Sequence, residues 1–588
     1  MAEQGSDLAS SKTPLGVARL AIGLFQGLAL FGLHRAWDSK AWPATDPTQY
    51  WPMVLAAAFL PLVVLGGLGQ LRRLTLVIWS LAGAALLVVF AVYDIWRQAS
   101  GQGVPRLSTE VVIFTAAALF IAHHLIAGAD QQRRWIAPYH AYFDTAWQAG
   151  VQLALSAAFT GVFWAVLGLG AGLFALIGIK AFGQTIAKDW FAFPATAVMF
   201  AAAVHLTDVR IGLTRGIRTV ALTLLSWLMP LMAVIAAAFL TALPFTGLKL
   251  LWATRASSAV LLSASAVLIV LINAAYQDGD PERRPPTVLR WAGRLAAGVL
   301  TPLVAIAAYG LVLRVGQYGW TPERIIATAC TLVAACYALG YLAAAIQPSP
   351  WMNRLEITNV AAAFVILAVI VALFTPIADP ARLAVADQVG RLESGKVAPE
   401  KFDFAFLRFK AGRFGVAALT RLKARKSGRS AAVISLRAAE ALNQTSPYSA
   451  VVATPAQRAA NIAVYPKGRA LPDAFLHQDW SHQSGDIGSC LPNGDHCEAY
   501  FADLDGDGAE EILLSGNLYD LTAFGVGHDG MWRPLGRLGP MDCKARAALR
   551  TGSVKIVQGK WKDLDIGGRR LRLQLRDPNA GLDFTCHD

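Results

Sequence analysis

Charge is scarce in this sequence. Only 15% of its 588 residues are Asp, Glu, Lys or Arg, while 55% are hydrophobic and the mean hydropathy is +0.45. Soluble domains carry about 25% charged residues, so the shortage excludes an ordinary soluble chain. The deficit is local: residues 1–378 hold 24 Lys and Arg with 15 Asp and Glu, whereas residues 379–588 hold 28 with 24. Also missing are a Walker-type phosphate loop, a Gly-x-Ser-x-Gly elbow and a His-Glu-x-x-His pair. Their absence argues against ATPase, serine hydrolase and zincin chemistry, though not against an unfamiliar membrane enzyme. No convincing internal repeat is present, and the start of the chain lacks a clear small-residue cleavage site, which favours a retained signal-anchor.

Cysteines are few, and their placement is informative. Cys330 and Cys336 lie in an apolar run, where small buried thiols are unremarkable. Cys490, Cys497, Cys543 and Cys586 all fall in the polar tail, which suggests two disulfides and an oxidising compartment. The pairing we expect is Cys490–Cys497 with Cys543–Cys586. Zinc is the rival, without a Cys-x-x-Cys spacing to support it.

Long apolar runs are what the sequence has in abundance. A helix needs about 20 apolar residues to cross ~30 Å of hydrocarbon. That ruler places spans near 15–34, 51–70, 74–94, 109–128, 151–177, 190–207, 217–243, 257–276, 294–315, 324–346 and 357–378. The expectation is a polytopic α-helical membrane protein of about 11 transmembrane helices (residues 1–378), a basic helical linker (379–460) and a mainly β soluble domain (461–588). The run at 151–177 is Gly-rich (Gly168, Gly170, Gly172), so it could tilt, break or pack closely.

Orientation follows from the short loops. Arg72 and Arg73, then Arg133 and Arg134, then Arg210, Arg215 and Arg218, then Arg283, Arg284, Arg290 and Arg294 occupy alternate loops. The positive-inside rule makes those loops cytoplasmic, with the N-terminus inside and the C-terminal domain outside. In a bacterial cell this means the inner membrane, with the tail in the periplasm. The basic excess therefore points to the lipid bilayer as partner and not to nucleic acid. A second basic cluster, from Lys401 to Arg437, carries the apolar stripe Phe404, Leu407, Phe414, Ala418 and Leu422. Such a helix could lie on the membrane surface or pack on its own domain. Beyond it, strands are expected at Asn461–Tyr465, Ala499–Leu504, Glu511–Ser515, Leu521–Val526, Trp532–Leu538, Val554–Gln558 and Leu571–Leu575, with a hairpin turn at His528-Asp529-Gly530.

Several strings resemble an uncharacterised bacterial membrane family, domain of unknown function 4153. They include Phe143-Asp144-Thr145-Ala146-Trp147, Phe159-Thr160-Gly161-Val162-Phe163-Trp164, Ile272-Asn273-Ala274-Ala275-Tyr276-Gln277-Asp278-Gly279 and Leu313-Arg314-Val315-Gly316-Gln317-Tyr318-Gly319-Trp320-Thr321-Pro322. The resemblance runs from roughly residue 15 to 350 and implies a multi-span inner-membrane protein. It brings no catalytic residues.

Candidate sites fall in two places. In the tail, Asp503-Leu504-Asp505-Gly506-Asp507-Gly508-Ala509-Glu510-Glu511 sets acidic groups at positions 1, 3, 5 and 9 with Gly at 6, a spacing that wraps oxygens around calcium. Leu514 stands where an EF-hand has its bidentate Glu, and the flanks read as strands, so the loop resembles those of FG-GAP repeats. The expected ligands are Asp503, Asp505, Asp507 and Glu511, with a structural role. The alternative is an acidic turn without metal. In the membrane half, His205 and Asp208 share a helical face near a span end, and could form a proton relay, a metal pair or a hydrogen-bonded interfacial pair. Arg314 and Gln317 open a polar-aromatic junction suited to a lipid headgroup or substrate. The functional reading is a non-catalytic transporter, scaffold or sensor. Its alternative is an intramembrane enzyme acting on a lipid-linked substrate.

Overall fold

A computed structural model describes residues 3–99, 104–209, 211–247, 257–280, 282, 284–347, 351–428, 430–444, 454–480, 490–493, 496–515, 520–538, 541–557, 564–566 and 569–571. The chain divides into two compact units, Met1–Leu442 and Asn443–Asp588.

Unit 1 is helical because its apolar runs must satisfy their own backbone groups in lipid. Its long helices are α1 (Glu3–Asp38), α2 (Pro47–Gly67), α3 (Arg73–Arg97), α4 (Thr109–Gln132) and α5 (Tyr139–Leu176). A short α6 (Ala181–Ile186) leads to α7 (Asp189–Val209), α8 (Ile211–Thr246), α9 (Ser257–Tyr276), α10 (Thr287–Tyr318), α11 (Pro322–Ile346) and α12 (Arg354–Leu373). Among the described residues, 11 helices are long and apolar enough to cross a membrane. Local chemistry sets their starts. Asp46 caps α2 through Thr48 N, and Thr321 caps α11 through Arg324 N, each followed by Pro at the first helical position.

Two groups of helices pack side by side. In the first, α1 lies against α7 and α2, α2 against α3, and α4 and α5 close the group. Gly23 and Gly27 let α1 approach α7 closely: a Cβ on Gly27 would stand 2.4 Å from the Pro194 backbone. In the second, α8, α9, α10, α11 and α12 surround a core of Leu268, Ile272, Leu300, Leu303 and Tyr341. Successive spans alternate in direction. One face therefore carries the start of α1 and the α2–α3, α4–α5, α7–α8, α9–α10 and α11–α12 turns (the near face). The other turns lie on the far face. Helix α5 runs unbroken for 38 residues, about 57 Å at 1.5 Å per residue. The close packing allowed for its glycines does not occur at Gly168 or Gly172, which have no neighbour within 4 Å, while Gly170 meets the Phe182 ring.

Four further helices belong to unit 1: α13 (Pro380–Glu393), α14 (Phe404–Phe409), α15 (Gly412–Lys423) and α16 (Ala431–Asn443). Phe404, Leu407, Ala418 and Leu422 are buried in a small core with Val385, Val389 and Ile434. The apolar stripe thus turns onto its own helices and not onto a membrane surface. This belt is bolted to the far face. Asp379 caps α13 and accepts a 3.1 Å bond from Tyr93 Oη. Asp387 accepts from Trp320 N at 2.8 Å, Arg391 donates to Gln317 O at 2.9 Å, and Arg413 lies 4.0 Å over the Trp96 ring.

Unit 2 is built on a five-stranded sheet in chain order: β1 (Ile462–Val464), β2 (Cys497–Ala502), β3 (Glu511–Ser515), β4 (Leu521–Val526) and β5 (Trp532–Leu538). The β1–β2 pair is parallel, and the others are antiparallel, with Ala499 opposite Leu514. Every residue of β3 is buried, as a central strand requires. Phe475, Trp480, Phe524 and Trp532 pack over one side of the sheet. A second pair, β6 (Leu564–Ile566) and β7 (Arg569–Leu571), is antiparallel. Gly530, in the turn between β4 and β5, has φ +75°. Two expectations need correction. Residues 554–557 form no strand: they follow helix α17 (Cys543–Thr551), ended by Gly552 in the left-handed conformation, and lie exposed with no strand paired to them among the described residues. The expected strand at 571–575 is met only at its first residue, and the remainder lies outside the described residues.

Candidate functional site

The near face holds a polar chamber of about 390 Å³ among α1, the α2–α3 turn, α4, α5 and α7. Its walls include Gln70, Gln131, Thr145, Gln148, His205 and Asp208. His205 and Asp208, one helical turn apart on α7, do come together here. Arg19 of α1, only 1% exposed, reaches across to place Nη2 2.7 Å from Asp208 and 3.0 Å from Leu68 O, with Nη1 3.5 Å from His205 Nδ1. Gly16 leaves room for this: a Cβ there would sit 2.7 Å from His205 Nε2. A buried arginine in a membrane span is costly unless paired. In the sequence Arg19 is marked only as a lone charge in an apolar run.

Beside the chamber, and sharing Gln70 and Ala149 with it, lies an apolar cavity of about 200 Å³. Phe59, Leu62, Phe120, Leu153 and Phe200 line it, together with His123 and His124. Adjacent helical positions point ~100° apart. The cavity wraps far enough around α4 to meet both imidazoles. Trp79 Nε1 donates to His123 Nδ1 at 3.1 Å, while buried His124 Nδ1 has no partner among the described residues.

Arg314 and Gln317 sit near the opposite end of the bundle, on α10, so they do not join this site. The junction around them is already occupied by the belt: Gln388 Nε2 donates to Tyr318 O and Trp320 O, both at 2.9 Å. His34, Asp38 and Asp189 form a further cluster on the far face, each contact 3.4 Å, which the sequence did not bring together. Asn273 belongs to a closed network in which Tyr139, Tyr341 and Asn359 satisfy one another across α5, α9, α11 and α12. Such a network holds helices together and leaves no group free to act.

In unit 2 the acidic loop gathers oxygens of Asp503, Asp505 and Glu511 within 4.8 Å of one another. Asp507 is not in that cluster; its carboxylate accepts from Ala509 N at 2.7 Å. Gly506 and Gly508 take φ of +81° and +87°, a left-handed wrap that other residues resist. Glu510 is turned away and paired with Arg469, whose hydrogen bond lowers the carboxyl pKa. The donor set, three carboxylates in a tight glycine loop, fits a hard cation such as calcium.

Cys490 and Cys497 form a disulfide, and Cys543 is also disulfide-bonded. Cys586, its expected partner, lies outside the described residues. Two features were not foreseen. Buried Arg458 donates to Leu491 O, Leu476 O and Gln478 O at 2.6–2.9 Å, tying the disulfide turn to the core. Glu498 accepts from Arg546 at 2.6 Å, from Arg550 at 2.5 Å and from Tyr500. Burial opposes the Glu498 charge, but these donors more than offset it and bring the carboxyl to about 2.

No curated protein and no solved structure matches the chain. Residues 43–422 match the family described as Domain of unknown function (DUF4153), a stretch that runs from α2 to α15 and leaves out the first span and the last belt helix. The match covers more than half of the chain, which therefore belongs to this family.

Proposed function

We propose that the protein is a non-catalytic component of the bacterial inner membrane, a transporter, sensor or scaffold, working through the near-face chamber. The observation that carries this reading is the buried Arg19–Asp208 pair beside a 390 Å³ polar cavity inside a membrane bundle. The chamber walls offer carboxamides, a hydroxyl, one imidazole and one carboxylate. That set recognises a ligand by hydrogen bonds, and it lacks a nucleophile held against a base. The arginine-rich turns support a cytoplasmic near face, and on this reading unit 2 would lie in the periplasm, an oxidising compartment suited to its disulfides. There the Asp503, Asp505 and Glu511 loop would hold a structural calcium ion.

A second reading, an enzyme acting on a lipid-linked substrate, is favoured by the apolar cavity next to the chamber. In it His205 would move the proton.

Labelling tests the proposal. With Cys330 and Cys336 changed to Ala, Gln148→Cys should react with a membrane-impermeant maleimide in inside-out vesicles. Reaction from both sides marks an alternating carrier. Reaction only from the outside reverses the orientation, and reaction from neither side removes the chamber as a working site.

A further inference from the structure

We infer that the chamber and the apolar cavity form one site for an amphiphile with an uncharged, hydroxyl-rich headgroup and a single hydrocarbon chain. The inference rests on reading the chamber as a ligand site, and it adds the class of ligand.

Two cavities of opposite character share walls at Gln70 and Ala149. Together their volumes of about 200 and 390 Å³ fall in the ~300–1,000 Å³ range of small-molecule sites. The apolar part is lined by rings and aliphatic groups of four spans, and Leu153 at its edge is 39% exposed on the flank of the bundle. A hydrocarbon chain can therefore pass between bilayer and cavity without crossing water. The polar part sits toward the near face, where a headgroup belongs. This stacking of polar over apolar matches the grain of one lipid leaflet.

The headgroup class follows from the donors and acceptors. Gln70, Gln131 and Gln148 each present both a donor and an acceptor, and Thr145, whose hydroxyl donates to Ala141 O, adds an acceptor oxygen. Among the described residues the chamber lining holds no Lys or Arg, and Arg19 behind it is spent on Asp208 and a carbonyl, so an anionic headgroup would meet the Asp208 carboxylate without a cation in the wall. Hydroxyls suit carboxamides and a carboxylate alike. Deeper in, the unpartnered Nδ1 of buried His124 marks a place where a polar atom along the chain, or a water carried with it, completes the imidazole.

The test uses the full chain in nanodiscs, with Gln148→Cys in the Cys330→Ala and Cys336→Ala background. The probe is a long-chain alkyl monoglycoside, and the readout is the rate of maleimide labelling. At ten times its Kd the glycoside should slow labelling about tenfold. The free sugar and an alkyl phosphate should leave the rate unchanged. Leu153→Trp, which fills the cavity edge from an exposed position, should abolish protection by the glycoside. Equal rates with and without the glycoside, or equal protection by the free sugar, would overturn the joined site. Stronger protection by the alkyl phosphate would overturn the headgroup assignment. In all of these cases labelling itself would still support the chamber, whereas no labelling at all would remove the underlying reading.

Discussion

Replacing Glu498 by Gln keeps the side chain's shape and removes the charge that holds Arg546 and Arg550 of α17 to strand β2. The Glu498 side chain is 14% exposed and that of Arg550 is 31% exposed. Its carboxyl titrates at about 2, against 4.5 for an unperturbed one. At 1.36 kcal/mol per unit the gap corresponds to ~3 kcal/mol, and solvent screening around the half-exposed Arg550 reduces this to ~2 kcal/mol. Amide hydrogen exchange of the full chain in nanodiscs, read in peptides covering Cys497–Ala502 and Cys543–Thr551, measures the effect. At neutral pH the variant should exchange about 30-fold faster there. Because the folded pKa lies below the ordinary one, this stability is complete above pH 4.5 and is lost as pH falls toward 2. The difference between wild type and variant should therefore shrink over that window, a comparison in which the intrinsic exchange rate cancels. Exchange within about twofold at neutral pH would show that the two arginines hold α17 without the carboxylate, and the reasoning would fail.

Three other outcomes are expected. Asp379→Asn removes a fully buried charge from its contacts with Tyr93 and Arg97, so the far-face belt should loosen by ~1–3 kcal/mol. Faster trypsin cleavage at Arg421–Lys426 would register this, and an unchanged digest would contradict it. Calcium near millimolar should slow exchange across residues 503–511, and Asp505→Ala should erase the effect; a wild-type loop blind to calcium is only an acidic turn. Non-reducing peptide mapping of protein purified without reductant should find Cys490 linked to Cys497, Cys543 blocked, and Cys330 and Cys336 free.

The spans were legible because apolar length is a one-dimensional property: each helix carries its own evidence. Strands β3, β4 and β5 were legible for a similar reason, since Glu511–Ser515, Leu521–Val526 and Trp532–Leu538 are bounded by turn residues. The site was legible only in part. His205 and Asp208 announce themselves by spacing, three residues apart on one helix. Arg19 lies 186 positions from His205, and nothing local ties it to α7 except the glycines that allow the approach. The cavity could not be read at all, because it is a property of four helices that fail to fill a space. The belt was half visible: its stripe gave the helices, but a basic surface did not reveal that Asp379, Asp387 and Arg391 would fasten it to the far face. For the acidic loop, spacing named four ligands, and folding drew three together while Asp507 turned to its own backbone.

Arg19 with Asp208, Arg72 with Asp130 and Arg218 with Asp144 share a property that concerns the electric field across the membrane. A single charge carried through 100 mV changes energy by ~2.3 kcal/mol, but a bound pair moving together carries none. As long as these three contacts persist, shifts of α1, α3, α4, α5, α7 and α8 carry no net charge at these positions. Membrane voltage then has no handle through these three pairs.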